Sequence, residues 1–182
     1  MTPPRVISID DSGWGFPLLG TLVGVHDSFD NSVRVAEVPV VHYQSPGFEM
    51  KTYLQSTANK AASLISELDL PVRGLAPSEV LFRVCTGYVN LGIVGWLRSI
   101  GCRVETCAMG EPLQSALEKA HAEYVRKSID SALLYYDPKE LTDGNIRKAY
   151  SETMAWIAKY NAWGIAKTGW KSMKKYRKEM IQ

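Results

Sequence analysis

The chain has 182 residues, 46% of them hydrophobic and 22% charged, with a formal net charge of +2. That composition suits one domain with a sizeable core and excludes disordered and collagen-like chains. Cys85, Cys102 and Cys107 lack the CxxC spacing of zinc sites; their odd number, without a secretory leader, predicts reduced, inert thiols in a cytoplasmic protein. No apolar run approaches the ~20 residues of a membrane helix, so no membrane partner is expected.

In chain order, Val6–Ile9 is a short β-branched run ending in Asp10-Asp11, and Leu18–His26 is a second one, so 5–10 and 18–26 read as paired strands joined by a turn over Asp11–Pro17. Ser32–Tyr43 is rich in valine and reads as a third strand, with Pro39 marking a bulge or an edge. The period then becomes helical. Apolar residues from Phe48 to Leu68 recur at helix spacing between Pro46-Gly47 and Pro71. Glu79–Thr86 reads as a fourth strand, Leu91–Ile100 as a helix closed by Gly101, Cys102–Ala108 as a fifth strand, and Glu111-Pro112 opens a helix to about residue 128. Two further helices are expected over 145–163 and 165–181, with Gly164 and Gly169 as weak points. The order βββαβαβα predicts an α/β chain of ribonuclease H-like fold, a mixed five-stranded sheet flanked by helices. It divides into a core over 1–128 and a helical C-terminal extension over 129–182.

The stretch Asp10-Asp11-Ser12-Gly13-Trp14-Gly15-Phe16-Pro17-Leu18-Leu19-Gly20 resembles the first motif of type 2 ribonucleases H, Asp-Glu-Ala-Gly-Arg-Gly-Pro-Leu-Ala-Gly, at the same strand-to-turn place. Val84-Cys85-Thr86-Gly87 stands where that family ends its fourth strand in Asp-Gly. Gln114–Lys119 stands where it has Ala-Ser-Ile-Ile-Ala-Lys, and Glu105, ten residues before Ser115, falls at another acidic ligand. The resemblance spans residues 5–127 and is most specific at the first motif.

It implies a nuclease that holds divalent Mg²⁺ or Mn²⁺ between a strand-one carboxylate and acids from other elements, and hydrolyses phosphodiester bonds in DNA or RNA by an exo- or endonucleolytic mode. The catalytic candidates are Asp10, Asp11, Glu105 and Glu118, and the metal candidates are Asp10, Asp11, Glu105 and His121. Asp10 and Asp11 would face opposite ways in a strand, but a turn beginning at Asp11 would gather both. The bland alternative has Asp11 capping the turn and Asp10 in solvent. Thr86 replaces the family's third aspartate. Glu105, or the pair Glu118 and His121 on one helix face, stands nearest as a substitute, against a solvated helix face. That missing acid also admits a second function, a non-catalytic nucleic-acid-binding relative.

The turn Gly13-Trp14-Gly15 carries tryptophan where the family has the arginine of its 2′-hydroxyl-reading turn. Trp14 either stacks on a base or plugs the sheet's edge. Residues 159–182 hold seven Lys or Arg against one acid, leaving the body at −4. On a helix Lys167, Lys171, Lys174, Lys175 and Lys178 form one stripe beside Trp163 and Trp170, suited to phosphate contacts and base stacking; the alternative buries the tryptophans and snorkels the lysines. Glu49 reads as a charge favourable to a helix N-terminus. His26 and His42 read as structural. The sequence leaves the oligomeric state open, a homodimer included.

Overall fold

The computed structural model describes residues 5–68, 80–129 and 143–174, without the side chains of 143–147 and 149. Five strands, β1 (Arg5–Ser12), β2 (Thr21–Asp27), β3 (Ser32–Val38), β4 (Val80–Cys85) and β5 (Arg103–Cys107), form one sheet in the order β3-β2-β1-β4-β5. β1, β2 and β3 are antiparallel neighbours, whereas β4 runs parallel to β1 and β5 parallel to β4. This mixed sheet, with its antiparallel strands first and helices against it, is a ribonuclease H-like α/β fold.

The helices are α1 (Thr52–Ser66), α2 (Leu91–Ser99), α3 (Leu113–Ser128) and α4 (Asp143–Lys159). α1 covers β2 and β3 and packs on α2, which reaches β5; α3 lies against β1, β2 and β3. The main core therefore joins Ile7, Ile9, Val23 and Val25 of the sheet to Ala61, Leu64 and Ile65 of α1 and Ile93 and Leu97 of α2. β2 is buried along its whole length because helices sit on both of its faces. Gly24 makes this possible, since a Cβ there would press to 2.8 Å from Leu117 of α3. A separate cluster ties Phe16, Leu18 and Leu19 to Val125 of α3, to Met154 and Ile157 of α4, and to Ala166 and Met173. Among the described residues no helix is long and apolar enough to cross a membrane.

Several boundaries differ from the sequence reading, each for a local reason. β1 continues through Asp11 to Ser12 because its partner β2 keeps pairing to Leu22, so the turn begins at Gly13. Pro39, which cannot donate to a ladder, ends the edge strand β3, and Val40–Tyr43 forms a 3-10 turn instead of continuing it. The expected helix over 165–181 is interrupted at its start. Ala162–Ile165 is a 3-10 turn, Ala166 bridges to Leu18, and helical geometry resumes only at residue 171. Residues from 175 onward lie outside the described part, Lys175 and Lys178 among them.

Candidate metal centre

β1 is the central strand, and its C-terminal end carries Asp10 and Asp11 beside the end of β4. The two carboxyls start out on opposite sides of the strand, as alternation dictates. Asn90 links them. It closes the 3-10 turn Tyr88–Asn90 that follows β4, is fully buried, and its amide donates to Asp11 Oδ1 at 3.0 Å and also to Asp10. Asp10 accepts a further bond from the Asp11 backbone N–H at 2.8 Å, and the Cys85 thiol donates to it. Gly87 leaves room for this arrangement, because a Cβ there would stand 3.1 Å from Asp11 Oδ1.

Burial pushes both carboxyls up. Asp11 rises to about 6, first through desolvation and then through the neighbouring Asp10. The opposing charge comes from Lys167. Its side chain is wholly buried, and its ammonium donates to the carbonyl oxygens of Gly13 at 2.5 Å and Trp14 at 3.4 Å. Desolvation lowers Lys167 to about 7, while Asp11 works to keep it charged. The ammonium also sits 5.1 Å from the Tyr43 ring centroid and 5.4 Å from that of Trp170. Lys167 is thus a strut beneath the glycine turn. It is removed from the solvent stripe in which helical spacing had placed it, because the chain is extended there and its backbone N–H bonds the Pro17 carbonyl.

The turn itself is built for close contact. Gly13 has φ +90°, a conformation that side chains disfavour, and a Cβ there would collide with the His121 ring. His121 is buried, lies edge-on to Phe16, and is held down to about 4 by desolvation and then by Lys167, so it is neutral at pH 7. It packs under the turn. Glu118, one turn earlier on α3, accepts a bond from Gln114 at 3.3 Å. Glu105 on β5 lies between Arg83 and Arg103, both at 3.7 Å. Thr86 is exposed at the end of β4 and donates its backbone N–H to Cys107. Gly15 is exposed at the tip of the turn.

Trp14 is enclosed by the rings of Tyr43, Phe48, Tyr53, Tyr88 and Trp170 at centroid distances of 5.6–6.4 Å. Only part of its surface remains open. In the basic segment Lys174 pairs with Glu49 rather than projecting freely, and that contact, not a helix N-terminus, is what Glu49 serves. Lys171 is exposed. His26 bonds Asn31 and His42 bonds Thr52, both structural contacts.

The donor set fits one hard divalent cation. Two carboxylates are drawn together there by the N–H groups of the Asn90 amide, and their oxygens are the hard ligands such an ion takes. Mg²⁺ commonly binds through one or two carboxylates and keeps several waters. Two ions would need more, and among the described residues no group of three His, Cys, Asp or Glu side chains is placed to hold a metal. Sequence reading missed Asn90, whose pairing with Asp11 spans 79 positions; its only local signal was an asparagine directly before a helix. It also missed the strut role of Lys167, for which a lysine within an apolar Ala-Lys-Thr-Gly-Trp segment was the available hint.

No protein-family model matches the chain, and no curated protein sequence matches it significantly. Among solved structures it is similar to the catalytic core domain of BIV integrase, at 11% identity and a TM-score of 0.42 over 82% of this chain and 80% of that one. It is likewise similar to the HTLV-2 integrase catalytic core domain in complex with magnesium, at 16% identity and a TM-score of 0.41 over 82% of this chain and 84% of that one. Likenesses this distant assign no site, and the fold assignment rests on the strand order itself.

Proposed function

We propose that the chain is a divalent-metal-dependent nuclease that hydrolyses phosphodiester bonds in DNA or RNA at the Asp10–Asp11 pair. One observation carries this reading: two adjacent carboxyls are desolvated together at the end of the central strand, and Asp11 is lifted to about 6. A bound cation relieves that cost. Mg²⁺ or Mn²⁺ bound there supplies Lewis acidity and a water of lowered pKa.

The chain's own residues do the positioning. Asp10 and Asp11 bind the cation, and Asn90 fixes the rotamer of Asp11 through its amide. Lys167 favours the charged form of Asp11 and holds the Gly13–Gly15 turn against the carboxylates. Lys171, exposed on the same segment, contacts substrate phosphates. Glu118 and Glu105 remain candidates to assist only if substrate draws them from Gln114 and the two arginines.

A second reading, a non-catalytic nucleic-acid-binding protein, is supported by Thr86 in place of a third acid and by the pairing of Glu105 with Arg83 and Arg103. The deciding experiment incubates end-labelled single-stranded and duplex DNA, RNA and hybrid with Mg²⁺ or Mn²⁺, comparing wild type with Asp10→Asn. The nuclease reading expects metal-dependent products that vanish in the variant, with the product ladder revealing exo- or endonucleolytic action. Binding without cleavage by the wild type would favour the second reading.

A further inference from the structure

We propose that Tyr88, backed by Trp14, is a stacking platform for an unpaired base, and that the substrate is therefore single-stranded nucleic acid or a strand with a nucleotide turned out. The inference rests on the nuclease reading for its substrate class but on different residues for its geometry. Tyr88 opens the 3-10 turn that Asn90 closes, and Asn90 holds Asp11. Two residues separate their Cα atoms by at most ~7 Å, about one nucleotide step. The ring also packs on Trp14, which follows Asp11 by three positions, so it belongs to the same end of the sheet as the carboxylates.

The ring is placed and exposed at once. Tyr88 is 47% exposed, yet its ring centroid lies 6.0 Å from Trp14 and 6.1 Å from Tyr53, which is fully buried. A large exposed aromatic is normally mobile; this one is wedged by two neighbours and pays little ordering entropy on binding. Trp14 in turn is clamped by the rings around it, so the platform is rigid through two layers. Bases in a duplex present only their edges, and a π-face becomes available once a base is unpaired. The carboxylates repel phosphate in the absence of metal, so an uncharged stacking surface supplies grip that does not depend on charge.

The test measures binding with turnover excluded. Fluorescence anisotropy of a labelled deoxythymidylate oligomer in Ca²⁺, with electrophoresis confirming an intact oligomer, is compared with an abasic oligomer of equal length and with a duplex. The proposal expects Tyr88→Ala to weaken single-strand binding about tenfold, as loss of one base–aromatic stack does. Tyr88→Phe should bind like wild type, the abasic oligomer should bind wild type as weakly as the thymidylate binds Tyr88→Ala, and duplex affinity should not change with Tyr88→Ala. Equal affinity for the abasic and base-bearing oligomers, no binding of either, or an equal loss for duplex and single strand would overturn it. The abasic comparison uses wild type, so a misfolded variant cannot obscure the outcome. Base-dependent binding by a protein that cleaves nothing would overturn the nuclease reading and leave the platform standing.

Discussion

The ammonium of Lys167 donates to the carbonyl oxygen of Gly13, 154 positions earlier, at 2.5 Å and stands close enough to Asp11 to favour its ionised form. One buried cation thus holds the turn and tempers the carboxylate pair. Because burial lowers Lys167 to about 7, the folded chain binds fewer protons than the unfolded one between pH 7 and 10.5. Stability contributed by this group therefore rises with pH through that window. We expect the thermal midpoint of wild type to climb from pH 7 to pH 9 more than that of Lys167→Met. At pH 9 the variant should be less stable by about 1–3 kcal/mol, the cost of an orphaned buried acceptor. Parallel pH profiles for the two proteins would refute the strut.

Asp11 has the opposite sign. Its folded value near 6 lies above the ordinary 3.8, so the folded chain binds more protons than the unfolded one in between, and its contribution to stability falls as pH rises from 3.8 to 6. Asp11→Asn should gain on wild type across that window and be more stable by about 1–2 kcal/mol at pH 7.5 without metal. Saturating Mn²⁺ should stabilise wild type and not the variant. Urea melts at pH 4.5 and 7.5, with and without Mn²⁺, provide the comparison.

Gly13→Ala combines a strained φ with a collision against the His121 ring. A loss of about 2–5 kcal/mol is expected, adding the left-handed penalty to overpacking. His121→Ala in the same chain should recover the steric share only. Full recovery would show that the φ of +90° imposes no cost.

These residues also show how far the sequence could be read. Alternating Ile7 and Ile9, the valines of 33–38 and the helical spacing after residue 52 follow from local burial patterns, so the element order and the sheet were legible. Asp10 and Asp11 were legible as a pair because adjacent acids before a glycine turn are unusual. What was not legible depends on long-range contact. Ladder pairing with Leu22 carries β1 past Asp11. Helical periodicity placed Lys167 among surface lysines, but it could not foresee that the bridge from Leu18 to Ala166 pulls the segment extended and turns that lysine inward. Likewise nothing near Glu105 in sequence reveals Arg83 on the adjacent strand.

In the basic segment Lys171 and Lys174, both exposed, differ. Lys174 pairs with Glu49 at the surface, while Lys171 is exposed and forms no ion pair among the described residues. Lys171→Ala should reduce the slope of log K against log salt for single-stranded oligomers by about 0.7. Lys174→Ala should reduce it less, since the cation is already partly neutralised. Binding isotherms between 50 and 200 mM salt read the difference, and equal effects would place both lysines on phosphate.

Whether Asp10 and Asp11 hold a cation is tested most directly, and without a substrate, by titration of Mn²⁺ followed by electron paramagnetic resonance. Wild type should bind one Mn²⁺ per chain, in keeping with a donor set of two carboxylates, and Asp10→Asn and Asp11→Asn should each abolish that binding while remaining folded. No bound Mn²⁺ in wild type, or undiminished binding in both variants, would contradict it.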